Sequence, residues 1–139
     1  MVTMKNDVLY VLLADDDADD RLFFKDAMKE INSETFVSFV NDGSKLMYFL
    51  NQPDICLPNI IFLDLNMPIK NGMECLKEIR DNERFKDLVL VIYSTSGSEH
   101  DIQQAFINGA NIYIKKPNNF AELKANLAKV INRSVQSIL

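Results

Sequence analysis

The side chains with the clearest chemical potential stand where apolar runs end. "VLYVLLA" (residues 8 to 14) leads straight into Asp15 and Asp16, "IIFLD" (60 to 64) ends in Asp64, "LVLVIYS" (88 to 94) ends in Ser94, and "IYIK" (112 to 115) precedes Lys116 and Pro117. Three carboxylates brought within a few ångströms cannot all stay ionised without compensating positive charge, because like charges raise one another's pKa. One lysine is too little for three acids. Mg²⁺ suits the set: it takes oxygen ligands in octahedral geometry, keeps several waters, and is typically held by carboxylates together with phosphate oxygens. The group reads as Mg²⁺ plus a phosphoryl group, with Asp64 as the nucleophile that forms an aspartyl phosphate and Lys116 neutralising charge on the transferring group. Ser94 could donate to a phosphoryl oxygen, and the backbone carbonyl of Asn66 could complete the metal shell.

Taken singly, each residue has a plainer reading. Asp15 and Asp16 could equally cap a helix, and Asp64 could cap the loop before Gly72. In "ADDDADD" (14 to 20), Asp17, Asp19 and Asp20 favour the positive end of the first helix and face water, an effect worth about 0.3 to 1 kcal/mol each. Gly72 serves a backbone with positive φ or a tight helix start. Tyr113 by itself is packing, and His100 is a solvent-facing residue early in the fourth helix. The joint occurrence, in order along the chain, favours the chemical reading.

The elements that must position these groups are legible as alternating patterns. The four runs above and "TFVSFV" (35 to 40) read as strands. Between them, apolar residues recur at helical spacing: Phe23, Ala27 and Ile31; Leu76 and Ile79; Ile102, Ala105 and Phe106; Phe120, Leu123, Leu127 and Val130. Ser98 with Asp101 and Asn119 with Glu122 have capping-box spacing, and Ser44, after the turn signal Asn41-Asp42-Gly43, is the expected N-cap of a short helix. Strict βα alternation implies a parallel sheet with right-handed crossovers and helices on both faces. Five strands are too few for a closed barrel, so the sheet is open and doubly wound, with its ligand site beyond the carboxyl ends of the strands.

Composition bounds the rest. A chain of 139 residues, 47% apolar and 25% charged, fits one globular domain, with the core spanning about 8 to 133 and no output module expected. A net charge of -5 opposes sequence-independent binding to nucleic acid or an anionic membrane. The longest apolar run is far short of a membrane span, Met1 to Lys5 starts no signal peptide, and a cytoplasmic location is expected. Cys56 and Cys75 form no metal-binding motif and read as reduced thiols.

These residues resemble the receiver domain of two-component response regulators, a flavodoxin-like (βα)5 fold with strand order 2-1-3-4-5. The most specific piece is "DLNMPIKNG", Asp64 to Gly72, joined by the acidic pair after the first strand, a hydroxyl after the fourth, and Lys-Pro after the fifth. Ser94 stands where Thr is commoner and keeps the hydroxyl; Pro117 assigns the family lysine to Lys116 and not Lys115. The resemblance implies that Asp15 and Asp16 bind Mg²⁺ and that Asp64 accepts a phosphoryl group from a histidine kinase or phosphotransfer protein. It also implies that Asn66 lends its carbonyl to the metal, that Ser94 and Lys116 contact the phosphoryl oxygens, and that Tyr113 is the switch aromatic. The Lys116-Pro117 bond is then expected to be cis, Asn66 and Ser96 to influence the phosphate's lifetime, and the surface of the fourth helix, fifth strand and fifth helix to be read by a downstream protein. A homodimer through that surface is compatible with the resemblance. Such a protein is a signalling switch and not an enzyme in the ordinary sense. Two other readings compete. A haloacid dehalogenase-type phosphohydrolase would need a second Asp two residues after the nucleophile, where Asn66 stands, and an unphosphorylated scaffold receiver usually lacks an acid or the lysine.

Overall fold

A computed structural model describes residues 8–32 and 34–138; Met1 to Lys5, considered above for a signal peptide, and Leu139 lie outside them. The elements are β1 (Tyr10–Ala14), α1 (Ala18–Ile31), β2 (Phe36–Val40), α2 (Gly43–Leu50), β3 (Ile60–Leu63), α3 (Gly72–Arg80), a 3₁₀ turn (Glu83–Phe85), β4 (Val89–Ser94), α4 (Glu99–Ile107), β5 (Ile112–Lys115) and α5 (Phe120–Ile138). All strand pairs are parallel, in the order β2-β1-β3-β4-β5. This is the open doubly wound sheet expected from the βα alternation, in the flavodoxin-like strand order that the resemblance implied. No helix among the described residues is long and apolar enough to cross a membrane.

The central strands are apolar as far as Ser94, the last residue of β4, because both faces are covered. Alternate residues feed two cores. Leu12, Ala14, Ile61, Leu63, Leu90 and Ile92 pack with α2, α3 and Ala105 of α4. Val11, Leu13, Ile60, Phe62, Val91 and Tyr93 pack with Phe24, Ala27 and Met28 of α1 and Leu123, Leu127, Val130 and Ile131 of α5. On α1, Ala27 is buried and Ile31 packs on the same core as expected, but Phe24 takes the place expected of Phe23. Phe24 is fully buried, whereas Phe23 is partly exposed and meets Phe120 edge-on, with ring centroids 5.2 Å apart. Three consecutive apolar residues, Leu22 to Phe24, left the helical phase open, and packing on the sheet chose it.

Caps differ in the same informative way. Asp42, not Ser44, is the N-cap of α2, its carboxylate accepting from the Lys45 N–H at 2.7 Å. Asn119 caps as expected, accepting from the Glu122 N–H at 2.8 Å. Ser98 accepts from the Asp101 N–H at 3.1 Å, but the Asp101 carboxylate turns elsewhere, to Ser96. The Lys116-Pro117 bond is trans, contrary to the cis form the resemblance implied; trans is the form X-Pro bonds favour by about 0.5–1 kcal/mol.

The loop from β3 to α3 is closed by Gly72, whose N–H donates to the Leu65 carbonyl at 3.0 Å. Its φ is not positive; that conformation falls to Ile69, at φ 69°, where the Lys70 N–H bonds the Pro68 carbonyl at 2.7 Å in a three-residue turn. Gly72 is required by close approach: a Cβ there would lie 2.1 Å from the carbonyl oxygen of Asp64. We expect Gly72→Ala to lower stability by about 1–3 kcal/mol, the usual cost of overpacking, as read by urea unfolding. A Gly72→Ala variant as stable as the parent would show that the β3–α3 loop relaxes freely around the added methyl.

Candidate functional site

Backbone hydrogen bonding continues one residue past the strands and fixes the groups that follow them. The Asp15 N–H donates to the Val40 carbonyl at 3.1 Å, the Asp64 N–H to Ala14 at 3.0 Å, and the Lys116 N–H to Ser94 at 2.8 Å. Three side chains distant in sequence are thus held at the same sheet edge by rigid backbone.

At that edge, single carboxylate oxygens of Asp15, Asp16 and Asp64 lie within 4.8 Å of one another. Asp15 and Asp64 are buried, at 0% and 5% exposure, and Asp16 is exposed. The Lys116 ammonium lies 2.8 Å from Asp15 Oδ2, 3.2 Å from Asp64 Oδ2 and 2.7 Å from Asp20 Oδ2. The contact with Asp15 is an ion pair without hydrogen-bond direction, so this fully buried Oδ2 has no hydrogen-bond donor of its own. Asp20 was expected to face water as part of the helix start. Instead it reaches back from the first turn of α1 to share the lysine, while Asp17 alone acts as N-cap, accepting from the Asp19 and Asp20 N–H groups at 2.9 and 3.1 Å. Acidic spacing in sequence could not separate these roles, because residue 20 points toward the site only once α1 is docked.

The electrostatics follow from burial. Desolvation pushes the Asp15 carboxyl up to about 6, with Lys116 and the Asp17 N–H pulling it back and Asp64 adding to the rise. Burial also acts to lower the Lys116 ammonium, but its close contacts with the Asp15 and Asp20 carboxylates outweigh that and hold it well above the ordinary lysine value. Lys116 therefore remains a cation. Its ammonium lies 5.3 Å from the centre of the Tyr93 ring, so the aromatic face covers part of what water would otherwise solvate.

Asp64 is held at both oxygens: Oδ1 accepts from the Asn66 N–H at 3.1 Å and Oδ2 from Lys116. Ser94 is fully buried, its Oγ accepting from the Ser96 N–H at 3.2 Å. Tyr113 does not reach the acids; its hydroxyl donates to the Ser96 carbonyl at 2.7 Å. Burial raises the Tyr113 phenol above its usual value, with its bond to Ser96 opposing. His100 is exposed, Cys56 is exposed, and Cys75 is buried with its thiol pushed up to about 11 by that burial. None of these three belongs to the cluster.

Comparison with known proteins agrees with this arrangement. The family described as the response regulator receiver domain matches residues 11–128. Response regulator Rcp1 of Synechocystis is 32% identical over 117 residues, covering 81% of this chain and 80% of Rcp1. The crystal structure of the phosphorylated cyanobacterial phytochrome response regulator RcpA superposes with a TM-score of 0.85 at 28% identity, covering 93% of this chain and 95% of that one. The Mn²⁺-bound form of Rcp1 superposes with a TM-score of 0.79 at 29% identity, over 88% and 91% of the two chains. With its sheet order, its acidic edge and its lysine all in the matched region, the chain belongs to the response regulator receiver domain family of two-component signalling.

Proposed function

We propose that this receiver is a phosphorylation-switched signalling protein in which Asp64 accepts a phosphoryl group from a histidine kinase or histidine phosphotransfer protein. The observation that carries the reading is the sharing of one buried ammonium, Lys116, among Asp15, Asp20 and Asp64, with Asp16 alongside. Four acids around one lysine leave a charge deficit that a second cation would fill.

The donor set fits Mg²⁺. All its ligands are hard oxygens, and the buried Asp15 Oδ2 has no hydrogen-bond donor to satisfy it. Asp15, Asp16, Asp64 and the backbone carbonyl of Asn66 would hold the ion. When bound, Mg²⁺ offsets negative charge on the phosphoryl oxygens. The protein's own part is positioning. An Asp64 carboxylate oxygen forms the P–O bond as the P–N bond to the donor imidazole breaks, and the imidazole leaves with its electron pair and takes up a proton. Lys116, kept protonated by its carboxylate neighbours, donates to a phosphoryl oxygen, and the Asn66 N–H and Lys116 hold Asp64 in one orientation before reaction. The Ser94 hydroxyl donates to a second phosphoryl oxygen, and Tyr113 answers that movement. The face of α4, β5 and α5 then presents the altered surface to a downstream protein.

Brief exposure to acetyl phosphate with Mg²⁺ should add the mass of one phosphoryl group, and Asp64→Asn should abolish the gain. A gain that survives Asp64→Asn would move the acceptor elsewhere.

The raised Asp15 carboxyl has a signed consequence. Its folded value, about 6, exceeds the unfolded value of about 3.9, so the folded state binds this proton more tightly. The stability it contributes is fully present below about 3.9 and is lost as pH rises through about 6. In divalent-free buffer at pH 7 we expect Asp15→Asn to be the more stable protein, by on the order of 1–3 kcal/mol, and the difference to shrink between pH 7 and 5. Adding Mg²⁺ should raise the melting temperature of the parent and leave Asp15→Asn nearly unmoved. A destabilised Asp15→Asn at pH 7 would mean that the Lys116 ion pair outweighs the desolvation of the carboxylate.

A further inference from the structure

Helix α4 is held by little apolar surface. Of its nine residues only Ala105 is buried, and an element with so few buried contacts is among the first to move. Its two ends are what fix it. Beyond its C-terminus, Arg80 Nε donates to the Gly109 carbonyl at 2.8 Å, while its Nη2 donates to the Leu88 carbonyl at 2.9 Å and to Asn111 Oδ1 at 2.8 Å. One guanidinium thereby anchors that end to the segments entering β4 and β5.

At the other end the connections converge on Ser96. Its N–H donates to Ser94 Oγ at 3.2 Å, its carbonyl accepts from the Tyr113 hydroxyl at 2.7 Å, and its own hydroxyl donates to Asp101 Oδ2 at 2.5 Å. The last is short and charge-assisted, a class roughly twice as strong as neutral hydrogen bonds. Asp101 lies in the first turn of α4, and its N–H is in turn held by the N-cap Ser98.

We propose that Asp101 is a positioning residue that ties α4 to the phosphoryl site, so that movement of Ser94 is carried through Ser96 into the helix, which swings about its Arg80-anchored end. The proposal rests on Asp64 being the phospho-acceptor. Because Ser94 Oγ accepts from Ser96, its hydroxyl hydrogen is free to meet a phosphoryl oxygen, and a shift of Ser94 draws Ser96 with it. Ser96 then pulls on two separate lines: its carbonyl on Tyr113 and its hydroxyl on Asp101. Removing the Asp101 carboxylate cuts the second line and spares the first. The swing is largest in the first turn of α4, at Glu99 to Ile102, and smallest at Phe106 and Ile107 beside the Arg80-anchored end.

The test treats the parent, Asp101→Ala, Asp101→Asn and Ser96→Ala with acetyl phosphate and Mg²⁺. Intact mass reads phosphoryl uptake, and amide hydrogen exchange and NMR shifts read residues 99 to 107 and Tyr113 with and without the phosphoryl group. The expected result is a full mass gain in Asp101→Ala with loss of the phosphoryl-dependent change in α4, while the change at Tyr113 persists. Asp101→Asn, which keeps an acceptor oxygen without the charge, should retain part of the α4 change, and Ser96→Ala should lose it as Asp101→Ala does. A merely structural Asp101 would loosen α4 equally in both states and leave the difference between them intact, which would overturn the proposal alone. No mass gain in the parent would overturn the phospho-acceptor reading, and this one with it.

Discussion

The Lys116 ammonium is the interaction on which the sheet edge depends. It sits between carboxylates delivered by three different elements: Asp15 after β1, Asp20 from α1 and Asp64 after β3, at 2.8, 2.7 and 3.2 Å. Remove its charge and three acids, two of them buried, face one another with nothing between. With it, the cluster is still short of positive charge, and the burial that pushes the Asp15 carboxyl up shows how close the folded protein is to neutralising one acid by protonation instead. The same imbalance makes the edge receptive to a hard divalent ion.

That arrangement works only if the backbone holds the charges against their repulsion. Parallel pairing does this by extending past each strand, so that Asp15, Asp64 and Lys116 are each pinned by their own N–H. The tight return at Gly72, which brings the start of α3 against the Asp64 carbonyl, adds a steric wall behind Asp64. The two cores above and below the sheet are continuous and apolar, whereas α4 buries a single residue. Burial is thus dense around the acids and sparse in the helix beside them, and an element with few buried contacts is among the first to open.

The amino-acid sequence alone revealed the architecture because βα alternation and doubly apolar strands leave few topologies open, and it pointed to Asp15, Asp16, Asp64, Ser94 and Lys116 because they stand at or just past the ends of strands. What it hid depended on tertiary packing. Asp20 is one of five acids in a run, and nothing local marks it as the one that turns back to Lys116. Phe23 and Phe24 are adjacent and equally apolar, so only docking chose between them. Asp101 has the spacing of a capping-box acid, and its use on Ser96 becomes visible only when the loop after β4 is seen to fold back on the helix. The trans Lys116-Pro117 bond differs from what the family resemblance implied, and the residue types around it carry no signal for either isomer.

In the function proposed above, the crowded edge serves to place a phosphoryl group on Asp64. Borohydride reduction of the protein after treatment with acetyl phosphate tests it directly, because an aspartyl phosphate is converted to homoserine and can be located by peptide mass mapping. Homoserine at position 64, formed only when Mg²⁺ is present, is the expected result. Homoserine at another aspartate, or none at any position while the parent protein remains folded, would contradict it.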